Sequence, residues 1–179
     1  MTHAVAVLSK VAAQNIDSYN RSALGTADLE NGNLVCLATR NTAATRGLEE
    51  VWDATKPATA TLSGLWMVYE PEIVDIIANS KTFRGIDVDP QDFYIPSGNV
   101  FSVFKPQLGD LVLLTADAFS NSRTAESYAI AADNSYELLW STIGAGLSFK
   151  YLATEYVSLG SGAINNQRVA AYLLEAVVL

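Results

Sequence analysis

Residues 96–115, with the sequence PSGNVFSVFKPQLGDLVLLT, decide the fold class. The turn formers at 96–99 precede the apolar run 100–104, and Leu108-Gly109-Asp110 precedes the apolar run 111–115. Proline, glycine, asparagine and aspartate favour the backbone angles of tight turns, and short runs of Val, Phe and Leu have the length of strands. The stretch therefore predicts two β-strands, each entered through a turn.

The same alternation of turn and apolar run continues along most of the chain. Asn31-Gly32 marks a tight turn before a strand at 33–39, and residues 31–37 are similar to 108–114 because both place glycine and a short polar residue before an apolar run. Residues 72–78 fit either a helical turn or a strand. Further strands are predicted at 59–69, with Gly64 as a bulge, and at 128–132, 136–140, 147–157 and 167–178.

These turns at short spacing, without a long amphipathic helix, predict an all-β protein: a single compact β-barrel or β-sandwich-like domain. The closing run, 167–178, is apolar on both faces, which indicates a central strand. Residues 29–179 form the predicted β-rich domain. Residues 1–28 are interpreted as an N-terminal extended arm that lies on another surface, and the alternative, in which they pack on their own domain, stays open.

Composition excludes several classes of protein. Of the 179 residues, 50% are hydrophobic and 17% charged, a balance that disfavours intrinsic disorder. The formal net charge is −8, with the acidic excess in residues 61–137, and a protein that neutralises phosphates needs Lys and Arg instead. Apolar stretches of about 20 residues, the length of a membrane-spanning helix, are missing from the sequence. We therefore expect no nucleic-acid partner and no membrane partner.

Cysteine and histidine are each present once. Cys36 lies in an apolar run and is predicted to be a buried structural thiol, without a disulfide. His3 lies at the terminus, where it is poorly placed for a Ser-His-Asp or Cys-His arrangement, and a multi-histidine metal site is excluded. Residues 4–8 are apolar but short and follow no basic region, so a signal peptide is not predicted and synthesis in the cytoplasm is expected.

Two groups of carboxylates could carry chemistry. Asp87, Asp89 and Asp92 alternate in a loop, as Ca²⁺ ligands can, but they lack the glycine and distal glutamate of an EF-hand, so a solvated acidic loop is the preferred interpretation. Glu70 and Glu72 flank a proline, and a glycosidase needs two carboxylates that face one cleft. Sequence neighbours rarely satisfy that geometry. We predict no catalytic residue, no metal, no cofactor and no enzymatic activity.

The aromatic residues in the middle of the chain are interpreted as core and interface residues rather than as a platform for sugars. These residues are Trp52, Trp66, Tyr69, Phe93, Tyr94, Phe101, Phe104 and Trp140.

The glycine pairs at 144–146 and 160–162 match no phosphate-binding motif and are interpreted as turn glycines.

Several segments together carry a family resemblance. They are NGNLV at 31–35, GLWMVYEPE at 64–72, DPQDF at 89–93, VFSVFKPQLGD at 100–110 and QRVAAY at 167–172. Over residues 29–178 this pattern resembles structural proteins encoded near the major capsid gene of tailed bacteriophages. The resemblance implies a virion protein, a capsid decoration (cement) protein that binds and stabilises the assembled head. Its implied partners are the major capsid protein and further copies or lattice neighbours, and its implied location is the capsid surface.

The sequence is also compatible with two other functions. One is a tail, neck or baseplate component, or a carbohydrate-binding module for host attachment that uses exposed aromatic residues and Ca²⁺ at Asp87, Asp89 and Asp92. The other is a hydrolase that depends on Glu70 and Glu72.

Overall fold

Twelve β-strands and two 3-10 turns form the regular structure of the residues that the computed structural model describes, namely 3–7, 19–42, 50–58, 64–78, 81–86, 90–159 and 167–178. The all-β prediction is confirmed. The 3-10 turns are Pro90–Asp92 and Ala116–Ala118. The strands are β1 Asn20–Leu24, β2 Leu34–Arg40, β3 Val51–Thr55, β4 Leu65–Val68, β5 Ile73–Ala78, β6 Lys81–Ile86, β7 Val100–Phe104, β8 Leu111–Thr115, β9 Tyr128–Ala131, β10 Leu138–Ser141, β11 Leu147–Leu159 and β12 Gln167–Val178.

Five strands close into a barrel in the order β1-β3-β2-β4-β7. The pair β1–β3 is parallel, and the other neighbouring pairs are antiparallel. Closure removes the free edges at which sheets pair with other chains. Gly64, expected to form a bulge, instead lies in an exposed bend directly before β4, and residues 59–63 of the predicted strand lie outside the described residues.

The second sheet has five antiparallel strands in the order β10-β9-β11-β12-β8. β12 lies between β11 and β8, as its sequence predicted, and it pairs with β11 from Gln167 to Val178. One face of this sheet is buried through Leu114, Phe149 and Leu174, each fully buried. That face covers the outside of the barrel.

The barrel and the sheet share a wall. On β2, Leu34 packs in the core between the barrel and the sheet, while its neighbour Val35 packs inside the barrel. Met67 and Val68 divide in the same way on β4, because successive strand residues point to opposite faces. β7 also contributes to both cores. These strands are therefore apolar on both faces, a pattern typical of strands that are covered on each side.

The turns before β2 and β8 have the same construction. Gly32 and Gly109 have φ of 90° and 91°, the left-handed region that favours glycine. In the first turn, the N–H of Glu30 donates to Oδ1 of Asn33 at 2.9 Å. In the second, the N–H of Gln107 donates to Oδ2 of Asp110 at 2.7 Å. The similarity between residues 31–37 and 108–114 is thus a shared turn chemistry that leads into a strand.

The described parts of residues 1–28 lie on the folded domain. Ala4–Ala6 are buried, and Ala6 pairs antiparallel with Leu114 at the β8 edge of the sheet. The N–H of Val5 donates to Oγ1 of Thr115, and the N–H of Thr115 donates to the carbonyl of Val5. Asn20–Leu24 form β1 and complete the barrel. This placement favours the alternative in which the N-terminal residues pack on their own domain, while residues 8–18 lie outside the described part of the chain.

A separate ribbon is formed by β5 and β6, which pair antiparallel with each other. It resolves the ambiguity of residues 72–78, because Ile73–Ala78 is a strand. In the register, Asp75 lies opposite Arg84.

Candidate functional site

The turn before β8 presents a large apolar side chain to solvent. Leu108 is 69% exposed. Its turn is held by the buried Asp110, whose carboxylate accepts from the N–H of Gln107 and whose carbonyl accepts from the N–H of Ala176 at 2.7 Å. In the equivalent turn the same position is Asn31, which is 1% exposed and bonded through both side-chain atoms to the backbone of Glu70. The same turn geometry therefore buries a hydrogen-bonded asparagine before β2 and exposes a leucine before β8.

The turn before β11 presents a second such side chain. Ile143 is 73% exposed. The Ser141 hydroxyl bonds both backbone groups of Ile143, accepting from its N–H at 3.1 Å and donating to its carbonyl at 2.8 Å. The buried Ser148 hydroxyl accepts from the N–H of Ala145 at 2.9 Å. These bonds fix the backbone that carries the isoleucine.

Both turns lie at the same end of the five-stranded sheet. β8 and β11 each pair antiparallel with β12, so they run in the same direction and begin at the same end. We call the turns 105–110 and 141–146 together the turn end. Leu108 and Ile143 are more exposed than the other large apolar side chains that are exposed in the described chain, which are Tyr69, Ile73, Tyr94, Val100, Leu152 and Tyr156.

The two glutamates considered for hydrolysis have separate surroundings. Oε2 of Glu70 accepts from the N–H of Ser102 at 2.7 Å, which supports the outer face of β7. Glu72 lines an apolar groove of about 410 Å³ together with residues 5–7 and 157–159. Glu70 does not line the groove that Glu72 lines.

The acidic loop is described only in part. Asp87 and Asp89 lie outside the described residues, and Asp92 ends the 3-10 turn Pro90–Asp92 with its side chain exposed. Within the described ranges, no group of three or more His, Cys, Asp and Glu side chains is placed to hold a metal ion.

Cys36 and His3 both have structural surroundings. Cys36 is buried in the core between the barrel and the sheet, as predicted. Nδ1 of His3 lies 2.6 Å from Oε1 of Glu30, and its ring stacks on Tyr94 with centroids 5.2 Å apart. Oε2 of the same Glu30 accepts from the N–H of Ala4 at 2.8 Å. One carboxylate thus holds the start of the described chain against the domain.

The aromatic residues singled out in the sequence divide between core and surface. Phe93, Phe101, Phe104 and Trp140 are buried, Trp52 and Trp66 are half-buried, and Tyr69 and Tyr94 are exposed. In the described structure the rings of Tyr69 and Tyr94 do not stack on one another, since Tyr69 contacts Phe104 edge-on and Tyr94 stacks on His3.

A larger aromatic cluster was not predicted from the sequence. The rings of Phe119 and Trp140 are stacked with centroids 4.5 Å apart, and Tyr172 meets both edge-on. The guanidinium of Arg123 lies 3.6 Å from the centroid of Tyr151, which contacts Trp140. These residues come from four separate segments, so no short sequence motif predicts the cluster.

This aromatic cluster forms one wall of a cavity of about 590 Å³. Three carboxylates also line it, from Glu30, Asp117 and Glu137. Asn121 fixes the aromatic wall because its side chain accepts from the N–H of Trp140 at 2.8 Å and donates to the carbonyl of Trp140 at 3.3 Å. We call this cavity the acidic-aromatic pocket.

Asp117 is held in an unfavourable position within the pocket. Partial burial raises the pKa of the Asp117 carboxyl, and the negative charge of Glu30 raises it further. No described residue forms a hydrogen bond or an ion pair with the Asp117 carboxylate that would offset this repulsion. A carboxylate with a raised pKa and no offsetting partner in a cavity makes the acidic-aromatic pocket a candidate binding site.

The Asp117→Asn variant is expected to be slightly more stable than the wild type at pH 7. A carboxyl pKa raised in the folded state lowers stability once pH exceeds the ordinary value of 3.8. The gain should be on the order of 0.5 kcal/mol, because both charges are partly exposed and screened. Thermal unfolding at pH 7 and pH 3 measures it: the gain should disappear at pH 3, and an equal gain at both values would contradict the assignment to charge.

A comparison with protein-family models, curated proteins and solved structures found no match to this chain. The described part of the chain contains no helix with the length and apolar character needed to cross a membrane.

Proposed function

We propose that this chain is a virion structural protein, a decoration protein that binds the assembled head of a tailed bacteriophage and stabilises it. The observation that carries the proposal is the turn end, where Leu108 and Ile143 are exposed on turns fixed by buried polar groups. An apolar anchor on a rigid backbone loses little conformational entropy on binding, which favours protein–protein contact. The family resemblance of residues 29–178 gives this contact its proposed partner, the major capsid protein.

The charge distribution supports the same proposal. The net charge is −8, and the acidic excess lies in the middle of the chain. An acidic protein binds a basic region of a shell with faster association and a defined orientation. Many copies on a lattice then convert weak single contacts into firm attachment. We expect attachment to weaken as ionic strength rises.

The Leu108→Asp/Ile143→Asp double variant tests this role. Purified protein is mixed with expanded capsids that lack it, and bound protein is measured by co-sedimentation. The wild type should bind and protect the shell against heat. The double variant should bind at least about a hundredfold more weakly, since each aliphatic side chain contributes about 1.5–3 kcal/mol when it is fully buried.

The control is Val100→Asp, which places one of the two added charges at an exposed position on the barrel strand β7. This control should bind capsids like the wild type. Absence of wild-type binding would overturn the decoration role, and equal binding by the double variant would overturn the assignment to the turn end. Immunogold labelling of intact particles distinguishes the head from the tail, neck and baseplate.

A further inference from the structure

The acidic-aromatic pocket is not part of the turn end, and several of its side chains are held in place by hydrogen bonds. Its aromatic wall is fixed by Asn121, and its Glu30 carboxylate is held by His3 and by the N–H of Ala4. Such fixed acceptors lose little freedom when a ligand arrives. The pocket therefore has the rigidity of a binding site.

We infer that this pocket binds the guanidinium group of an arginine side chain that is presented by a partner protein. The inference goes beyond the proposed function, because the pocket and the turn end are formed by different residues and can be tested separately.

Charge favours a cation as the ligand. The carboxylates of Glu30, Asp117 and Glu137 line the pocket, and Arg123 is the basic residue among its described lining. Asp117 has no cationic partner among the described residues, and partial burial and the negative charge of Glu30 both raise its carboxyl pKa. A guanidinium placed beside Asp117 would relieve its repulsion from Glu30 and form charge-assisted hydrogen bonds.

The aromatic wall favours a guanidinium over other cations. The cluster already holds one such group, because the Arg123 guanidinium lies over Tyr151 and 5.6 Å from the ring centroid of Trp140. Guanidinium is planar and weakly hydrated, so it stacks on aromatic rings and still bonds carboxylates, whereas ammonium is compact and strongly hydrated. A cavity of about 590 Å³ has room for an arginine side chain.

The test uses N-acetyl-arginine amide as the probe and N-acetyl-citrulline amide as its uncharged isostere. Binding is followed on the full-length ¹⁵N-labelled protein by NMR titration, read at the assigned indole N–H of Trp140 and at the backbone N–H of Asp117. Three proteins are compared: the wild type, Asp117→Asn, and Glu155→Gln. The last variant removes one negative charge from β11, outside the pocket.

We expect the arginine probe to bind the wild type and Glu155→Gln with the same affinity. Asp117→Asn should bind it about tenfold more weakly, the loss of one charge-assisted hydrogen bond. The citrulline probe should bind at least about tenfold more weakly than the arginine probe to the wild type. Equal binding of both probes, absence of binding, or equal weakening in both variants would overturn the inference. Capsid co-sedimentation of the wild type is independent of these results and bears on the proposed function alone.

Discussion

The Phe149→Ala variant is expected to lose about 3–5 kcal/mol of unfolding free energy, the cost of truncating a fully buried phenylalanine. Phe149 is 0% exposed and packs in the core between the barrel and the sheet. Loss of its ring removes packing contacts in the core between the barrel and the sheet. Urea unfolding followed by circular dichroism and by tryptophan fluorescence measures the loss. Both signals should change in one transition, because residues of the barrel and of the sheet pack into one common core.

The control is Leu152→Ala on the same strand. Leu152 is 42% exposed, so its truncation should cost less than about 1 kcal/mol. If the two variants lost similar amounts, Phe149 could not be part of a packed core. Two separate transitions would contradict the shared wall between barrel and sheet.

The Gly32→Ala variant is expected to lose about 2–5 kcal/mol. Its φ of 90° is strained for an L-residue, and this strain costs about 1–2 kcal/mol. An alanine Cβ would also lie 2.8 Å from Cδ2 of Leu114, a fully buried side chain. Overpacking of this kind adds about 1–3 kcal/mol. Denaturant unfolding gives the free energy directly.

Gly109→Ala separates these two costs. Gly109 has a φ of 91°, but a Cβ built there meets no atom within 4 Å. This variant should therefore lose only the conformational part, about 1–2 kcal/mol. A Gly109→Ala variant as unstable as Gly32→Ala would show that the contact with Leu114 contributes nothing.

The sequence predicted the strands that directly follow a strong turn signal. Val100–Phe104, Leu111–Thr115 and Gln167–Val178 have the bounds that were expected, because glycine-containing turns or both-face apolar character set them apart. Strands β1, β3 and β6 were missed. Asn20–Leu24 and Val51–Thr55 contain polar residues and become strands through pairing with distant partners, which local propensity does not report.

The candidate sites depended even more on distant contacts. Leu108 was recognised as part of a turn, but its exposure follows from the position of β12, which bonds the turn through Ala176. The acidic-aromatic pocket joins Glu30, Asp117 and Trp140 from distant parts of the chain. No sequence motif connects these residues, so the pocket could not be predicted before the fold was known.

The wall shared by barrel and sheet also determines how the molecule responds to mechanical load. Leu34 and Val35 sit back to back on one strand, so a force that separates the sheet from the barrel must strip Leu34 from one core while Val35 stays anchored in the other. The barrel strands β2, β4 and β7 place side chains in both cores, so packing along three strands, and not only the connection 105–110, holds the sheet against the barrel. Tension applied at the turn end should therefore be transmitted through the whole described domain, which would behave as one stiff body up to the force at which it ruptures.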